Sequence, residues 1–200
     1  MLNSDTKSFR KITDPHAQQV IKDWFAILTE RYASEGAKRI NGRAWRAELK
    51  RMELPYGSMM SESFHILRQR LSVHMHLEPI NEMALALFVC VAAHIQHHQG
   101  KISFAAQLGE KLNGDKPCFS VLRFERLQKA TAPEIFCQLL IQAVKIRGDE
   151  GVNILSLADS IFLWMDEWYQ RETHKPAVSD PFARNRIRWA SEYLSTSHAK

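Results

Sequence analysis

A chain of 200 residues has room for one domain, or for two small lobes around a shared core. Hydrophobic residues make up 45% of it, which excludes a disordered chain, and no apolar run is long enough to span a membrane. The net charge of +5, from 27 basic and 22 acidic residues, does not by itself imply nucleic acid, so the placement of the charge matters more than its total.

The polar opening MLNSDTKSFRK predicts a flexible segment over residues 1–13 with no secretory leader. DPHAQQVIKDWFAILTERY then predicts the first helix, with Asp14 as N-cap, Pro15 in its first turn and Val20, Ile21, Trp24, Leu28 and Tyr32 at helical steps. Gly36 and Asn41-Gly42 break the pattern, and a second helix is expected over about Arg43 to Met52, ended by Pro55 and Gly57. SESFHILRQRLSVH gives a third. PINEMALALFVCVAAHIQHH, apolar nearly all round, reads as the central buried helix. SFAAQLGEKLNG is a short helix stopped by Asn113-Gly114, and FSVLRFERLQKA follows. TAPEIFCQLLIQAVKIRG opens on a capping-box pattern, Thr131 to Glu134, and closes at Gly148. NILSLADSIFLWMDEWYQRE takes Asn153 as N-cap, THKPAVSDP reads as a loop, and FARNRIRWASEYL is the last helix before a fraying tail.

No strand alternation and no solenoid repeat is found, so the expected class is all-α, a helical bundle. The expected division is a flexible 1–13, an N-terminal helical lobe over 14–112, a C-terminal lobe over 113–195 and a tail over 196–200, the two lobes packed as one elongated unit; a single bundle fits the same pattern. Cys90, Cys118 and Cys137 are scattered, with no CxxC spacing, which argues against a disulfide framework or a zinc knuckle and predicts a reducing, cytoplasmic setting.

The charge is concentrated in Lys38–Arg51, KRINGRAWRAELKR, with six basic residues and only Glu48 acidic. On an ideal helix Arg43, Arg46 and Lys50 fall within about 60° of one another, while Trp45, Leu49 and Met52 face the other way. One side docks and the other presents a positive stripe, flanked by Arg51. A bare solvated face would be laced with i,i+4 acidic partners; this one is rich in arginine, whose planar fork grips phosphate. A second cluster, RNRIR, places Arg184, Arg186 and Arg188 within five residues. Clustered basic charge is the footprint of a phosphate binder.

Several motifs then line up in order. GRAWRAELKRM (Gly42 to Met52) resembles a Gly-x-x-Ala-x-Leu-Arg-Arg element, and ESFHIL (Glu62 to Leu67) a PAFYRL-type segment. RFERLQKA (Arg123 to Ala130) is similar to an Arg-Phe-x-x-Leu-Leu signature. VNILSLADSIFLW (Val152 to Trp164) resembles a Val-Asp-Trp-x-x-Leu-x-x-x-Leu-x-x-Trp helix, and RIRWASEYL (Arg186 to Leu194) a closing Trp-Ala-x-x-Tyr element. Together they resemble the small subunit of the type I-E CRISPR surveillance complex, the CasB family of Cascade.

The resemblance implies an all-helical, non-catalytic structural subunit of a crRNA-guided antiviral complex. It implies backbone and large subunits as partners, a second copy of the chain beside it, and sequence-independent contact with target DNA and the displaced strand of the R-loop. Lys50 and Arg51 match the family's paired arginines, Arg123 the arginine of the Arg-Phe element, and Lys129 the basic position six residues on. Arg43, Arg46 and Arg126 join them from helical geometry, and Arg184, Arg186 and Arg188 from charge density. The chain departs from the family at Asn153-Ile154, at Ala105, and at Gln138 and Gln142, where relatives carry arginines.

Other constellations read as dull. His94 and His98 fall one turn apart on the expected helix, but no HExxH motif or carboxylate partner accompanies them, and neither metal nor cofactor is expected. Trp164 and Trp168, and Trp189 with Tyr193, have core spacing, so no stacking platform for bases is expected from the tryptophans. No GxSxG, P-loop or dinucleotide fingerprint appears, and Asp166 and Glu167 are adjacent and so face different ways. Two rival readings remain: a helical protein–protein adaptor with a basic docking face, and a helix-turn-helix regulator.

Overall fold

Helix starts follow the capping residues. The computed structural model describes residues 9–30, 33–35, 38–112 and 114–198. The Asp14 carboxylate accepts from the amides of His16 and Ala17, and α1 runs Pro15–Thr29. Asn41 caps α2 (Gly42–Leu49), and Ser61 caps α3 (Glu62–Leu71). Glu78 and Asn81 form a reciprocal capping box at α4 (Pro79–Ala92). α5 (Phe104–Gly109) starts at Ser103, and α6 spans Val121–Gln128. α7 (Pro133–Arg147), α8 (Ile154–Glu172, capped by Asn153) and α9 (Asn185–Ser197) complete the all-α architecture.

Several local expectations change. The predicted Thr131–Glu134 capping box does not form: Pro133 forces Ala132 into extended backbone, so Ala132 becomes the N-cap and Thr131 falls outside the helix. α4 stops at Ala92, and His94 and His98 do not share a helix face. The backbone of residues 97–99 instead pairs with Val152, whose amide donates to the His97 carbonyl while its own carbonyl accepts from Gln99. Among the described residues no group of three His, Cys, Asp or Glu is placed to hold a metal ion. A two-stranded antiparallel hairpin, β1 (Ala33–Glu35) and β2 (Lys38–Ile40), sits where the sequence showed only a break. Strands of three residues are too short for alternation to show. The last helix reaches Ser197, into the expected tail.

Part of the segment expected to be flexible is docked. The Asp159 carboxylate, 1% exposed on α8, accepts from the amides of Arg10, Lys11 and Ile12 at 2.8, 2.6 and 3.0 Å. The Lys11 ammonium pairs with Asp166. Residues 1–8 lie outside the described ones.

α4 and the first three turns of α8 form the centre of the core: Ala84 to Ala93 and Ile154 to Met165 are buried. α4 packs on α8 and α7, α5 on α9, and α1 on α2 and α3. The α4–α8 and α5–α9 pairs each join residues on opposite sides of the expected lobe boundary at 113. α2 approaches α1 so closely that a Cβ on Gly42 would lie 1.6 Å from the Ile27 carbonyl oxygen. Only glycine admits that contact, and the contact places the basic helix on the body of the fold.

Candidate nucleic-acid interface

Trp45 and Leu49, 7% and 0% exposed, bury the inner face of α2. Arg43 and Lys50 stand exposed on its outer face; Lys50 lies one residue past Leu49 but keeps helical backbone angles, so it stays on the stripe. Arg46 is half-buried. Its guanidinium lies 5.9 Å from the centre of the Phe25 ring, and its Nε and Nη2 are buried with no hydrogen-bond partner.

One further element, α7, brings charge to this stripe. Burial lowers the Lys50 pKa, and Arg46 and Lys145 of α7 lower it further. Burial, then Lys145, Lys50 and Arg46, hold the His94 imidazole down at about 4. His94 is therefore neutral near pH 7 and reports the field of the cations around it. Arg43, Arg46, Lys50 and His94 line an open concavity of about 520 Å³ with Leu28, Thr29 and Gln96. Among the described residues no carboxylate lies within ion-pair distance of Arg43, Arg46, Lys50 or Lys145.

Lys145 escaped the sequence reading. Gln138, Gln142 and Lys145 share one exposed face of α7 at steps of four and three residues. The two glutamines stand where relatives carry arginines, so the signal for Lys145 lies one step further along that face.

The convergence has a direct test. Lys145→Glu removes the largest of the charges acting on His94, so the imidazole pKa should rise from about 4 toward the usual 6.5 in an NMR titration. An unchanged His94 pKa would mean that α7 does not reach the stripe. The unfolded imidazole protonates first, so between pH 6.5 and about 4 the unfolded chain binds more protons and the fold loses stability on acidification.

The C-terminal arginines do not form one patch. Residues 186 and 188 are about 200° apart on a helix, so density in sequence is not density in space. Arg188 turns inward, only 14% exposed, and pairs with Asp159 at 3.1 Å while donating to Ser160 Oγ at 2.9 Å. This corrects its expected role as an outward phosphate contact. Arg184 donates from Nε and Nη2 to the Val178 carbonyl. Arg186 is exposed and lines three adjoining concavities of about 290, 250 and 220 Å³. Lys129 is exposed but lies 3.6 Å from Glu125. Arg51, Arg123 and Arg126 are exposed and, among the described residues, have no ion pair. The ten expected cations thus split between an acid-free α2 group, which Lys145 of α7 joins, an α6–α9 group mixed with carboxylates, and Arg188 in the interior.

Trp24, Trp45, Trp164 and Trp189 are buried, as their spacing predicted; the Trp24 indole donates to the Ser63 carbonyl and Trp189 to Ser160 Oγ, each at 2.9 Å.

Across residues 45–194 the sequence matches the model of one family, the CRISPR-associated protein Cse2. The chain belongs to the Cse2 family. It is a structural subunit of a type I-E CRISPR Cascade complex and assembles with the other subunits of that complex. Comparison with curated proteins returns no match, nor does comparison with solved structures. The Cse2 match contains Arg46, Lys50 and Lys145 but begins two residues after Arg43. No helix among the described residues is long and apolar enough to cross a membrane.

Proposed function

We propose that this Cse2-family subunit binds nucleic acid without reading its sequence and stabilises both the target DNA and the displaced non-target strand once the R-loop opens. The observation that carries this reading is the acid-free convergence of Arg43, Arg46, Lys50 and Lys145 from two helices. Base pairing with the guide supplies sequence specificity, so a structural subunit need only favour the open state. Cations do so by neutralising backbone phosphates and releasing condensed counterions. Arg43 and Lys50 present their charge at the surface, where phosphate oxygens accept charge-assisted bonds. The backbone and large subunits, and a second copy of the chain, are the proposed protein neighbours.

Binding to random single strands should weaken linearly in log–log coordinates as salt rises, with a slope near −3 for about four neutralised phosphates. Random and defined sequences should compete equally. A protein adaptor with a basic docking face would show no oligonucleotide binding even at low salt, and a helix-turn-helix regulator would favour one duplex.

A further inference from the structure

The α6–α9 face carries a feature that phosphate binding does not use. Val121, Leu122, Ile187 and Leu194 are 50, 78, 40 and 45% exposed on two neighbouring helices. Three of them, Val121, Ile187 and Leu194, line the 250 Å³ groove. Exposed aliphatic clusters of this kind mark docking surfaces. The groove adjoins the 290 Å³ cavity over Phe136, Trp164 and Trp189, and both are lined by Lys129 and Arg186. The order along the surface is therefore apolar, basic, apolar.

The rings beneath are poor platforms for bases. Phe124 stacks on Tyr193 at 3.9 Å between centroids, and Phe136 on Trp164 at 4.0 Å. Aliphatic walls do not stack bases either. The charge at the junction is net positive, because Glu125 of the groove is matched by Lys129 at 3.6 Å and Arg186 is left over. Arg186 has no ion pair among the described residues, and Glu167 beside it is already held by the Asn185 amide at 2.7 Å. A complementary occupant brings a carboxylate to Arg186 and a large apolar side chain to each flanking concavity.

We infer that the α6–α9 groove is a protein-docking site for an apolar–acidic–apolar segment of another subunit of the complex. This goes beyond the nucleic-acid reading and stands or falls apart from it.

The test uses the complex assembled on its guide RNA, with a benzophenone amino acid in place of Ile187. Irradiation should join Ile187's position to a different protein subunit, at a peptide with Asp or Glu beside large apolar residues. A cross-link to a second copy of the chain, to nucleic acid, to a peptide without that pattern, or to nothing overturns the proposal. In parallel, Arg186→Glu and Leu194→Asp, at exposed positions and checked for an unchanged melting temperature, should each lower occupancy of the subunit in the complex by about tenfold. The oligonucleotide binding of Leu194→Asp as a free chain should stay within about twofold of the parent, because it removes no cation and leaves the α2–α7 group untouched. Unchanged occupancy in both also overturns it. Loss of oligonucleotide binding by the parent chain would sink the functional reading above and leave this one standing.

Discussion

Arg43→Glu, Arg46→Glu and Lys50→Glu combined lower the affinity of the chain for random oligonucleotides by about a hundredfold or more at low salt. They also flatten the salt dependence by about two logarithmic steps per decade of salt, the loss expected when three phosphate contacts disappear. The magnitude follows from the absence of compensation. No carboxylate pairs with these cations among the described residues, so reversal does not merely break an internal ion pair; it turns a concavity lined by cations into one that repels phosphate. Helicity should survive, because Trp45, Leu49 and Gly42 anchor α2 through its other face. Arg46 is the exception, since a glutamate over Phe25 would be partly desolvated. Arg46→Gln therefore accompanies the triple variant and should weaken binding alone without a change in melting temperature. A triple variant that is fully helical and binds as tightly as the parent would remove the α2 stripe from the interface.

The sequence made the helical class, the caps at Asp14 and Asn153, and the docking face of α2 legible, because each is a local pattern of a few residues. It did not reveal which helices would meet. Lys145 lies 95 residues from Lys50, and no periodicity within α7 can say that its outer face points toward α2. The same limit explains Arg188. RNRIR looks like a patch when read along the chain, but a helix turns alternate members away, and Asp159 on α8 was waiting for the inward one. The histidines failed for a different reason. Tertiary pairing with Val152 captured backbone groups that would otherwise have extended α4.

Asp159→Ala should be among the most destabilising single substitutions in the fold, costing about 3–5 kcal/mol and lowering the melting temperature by about 10 °C. The residue joins three parts of the chain. One oxygen accepts the amides of Arg10, Lys11 and Ile12, and the other takes the guanidinium of Arg188. Removal leaves three donors without their acceptor and a guanidinium, 14% exposed, without its closer carboxylate, since Glu192 stands off at 3.9 Å. Desolvated charge without compensation costs more than the intact pair contributes, so the pair and its breakage must be measured separately. Arg188→Met alone leaves Asp159 its three amide donors and should cost less; combined with Asp159→Leu it should recover part of the loss, since apolar replacements of a buried pair are often tolerated. The same variants decide what Arg188 does. A structural Arg188 predicts that Arg188→Met lowers the denaturation midpoint while the folded fraction binds oligonucleotide as the parent does. Unchanged stability together with weakened binding would instead return Arg188 to the interface and show that its contact with Asp159 does not hold in solution.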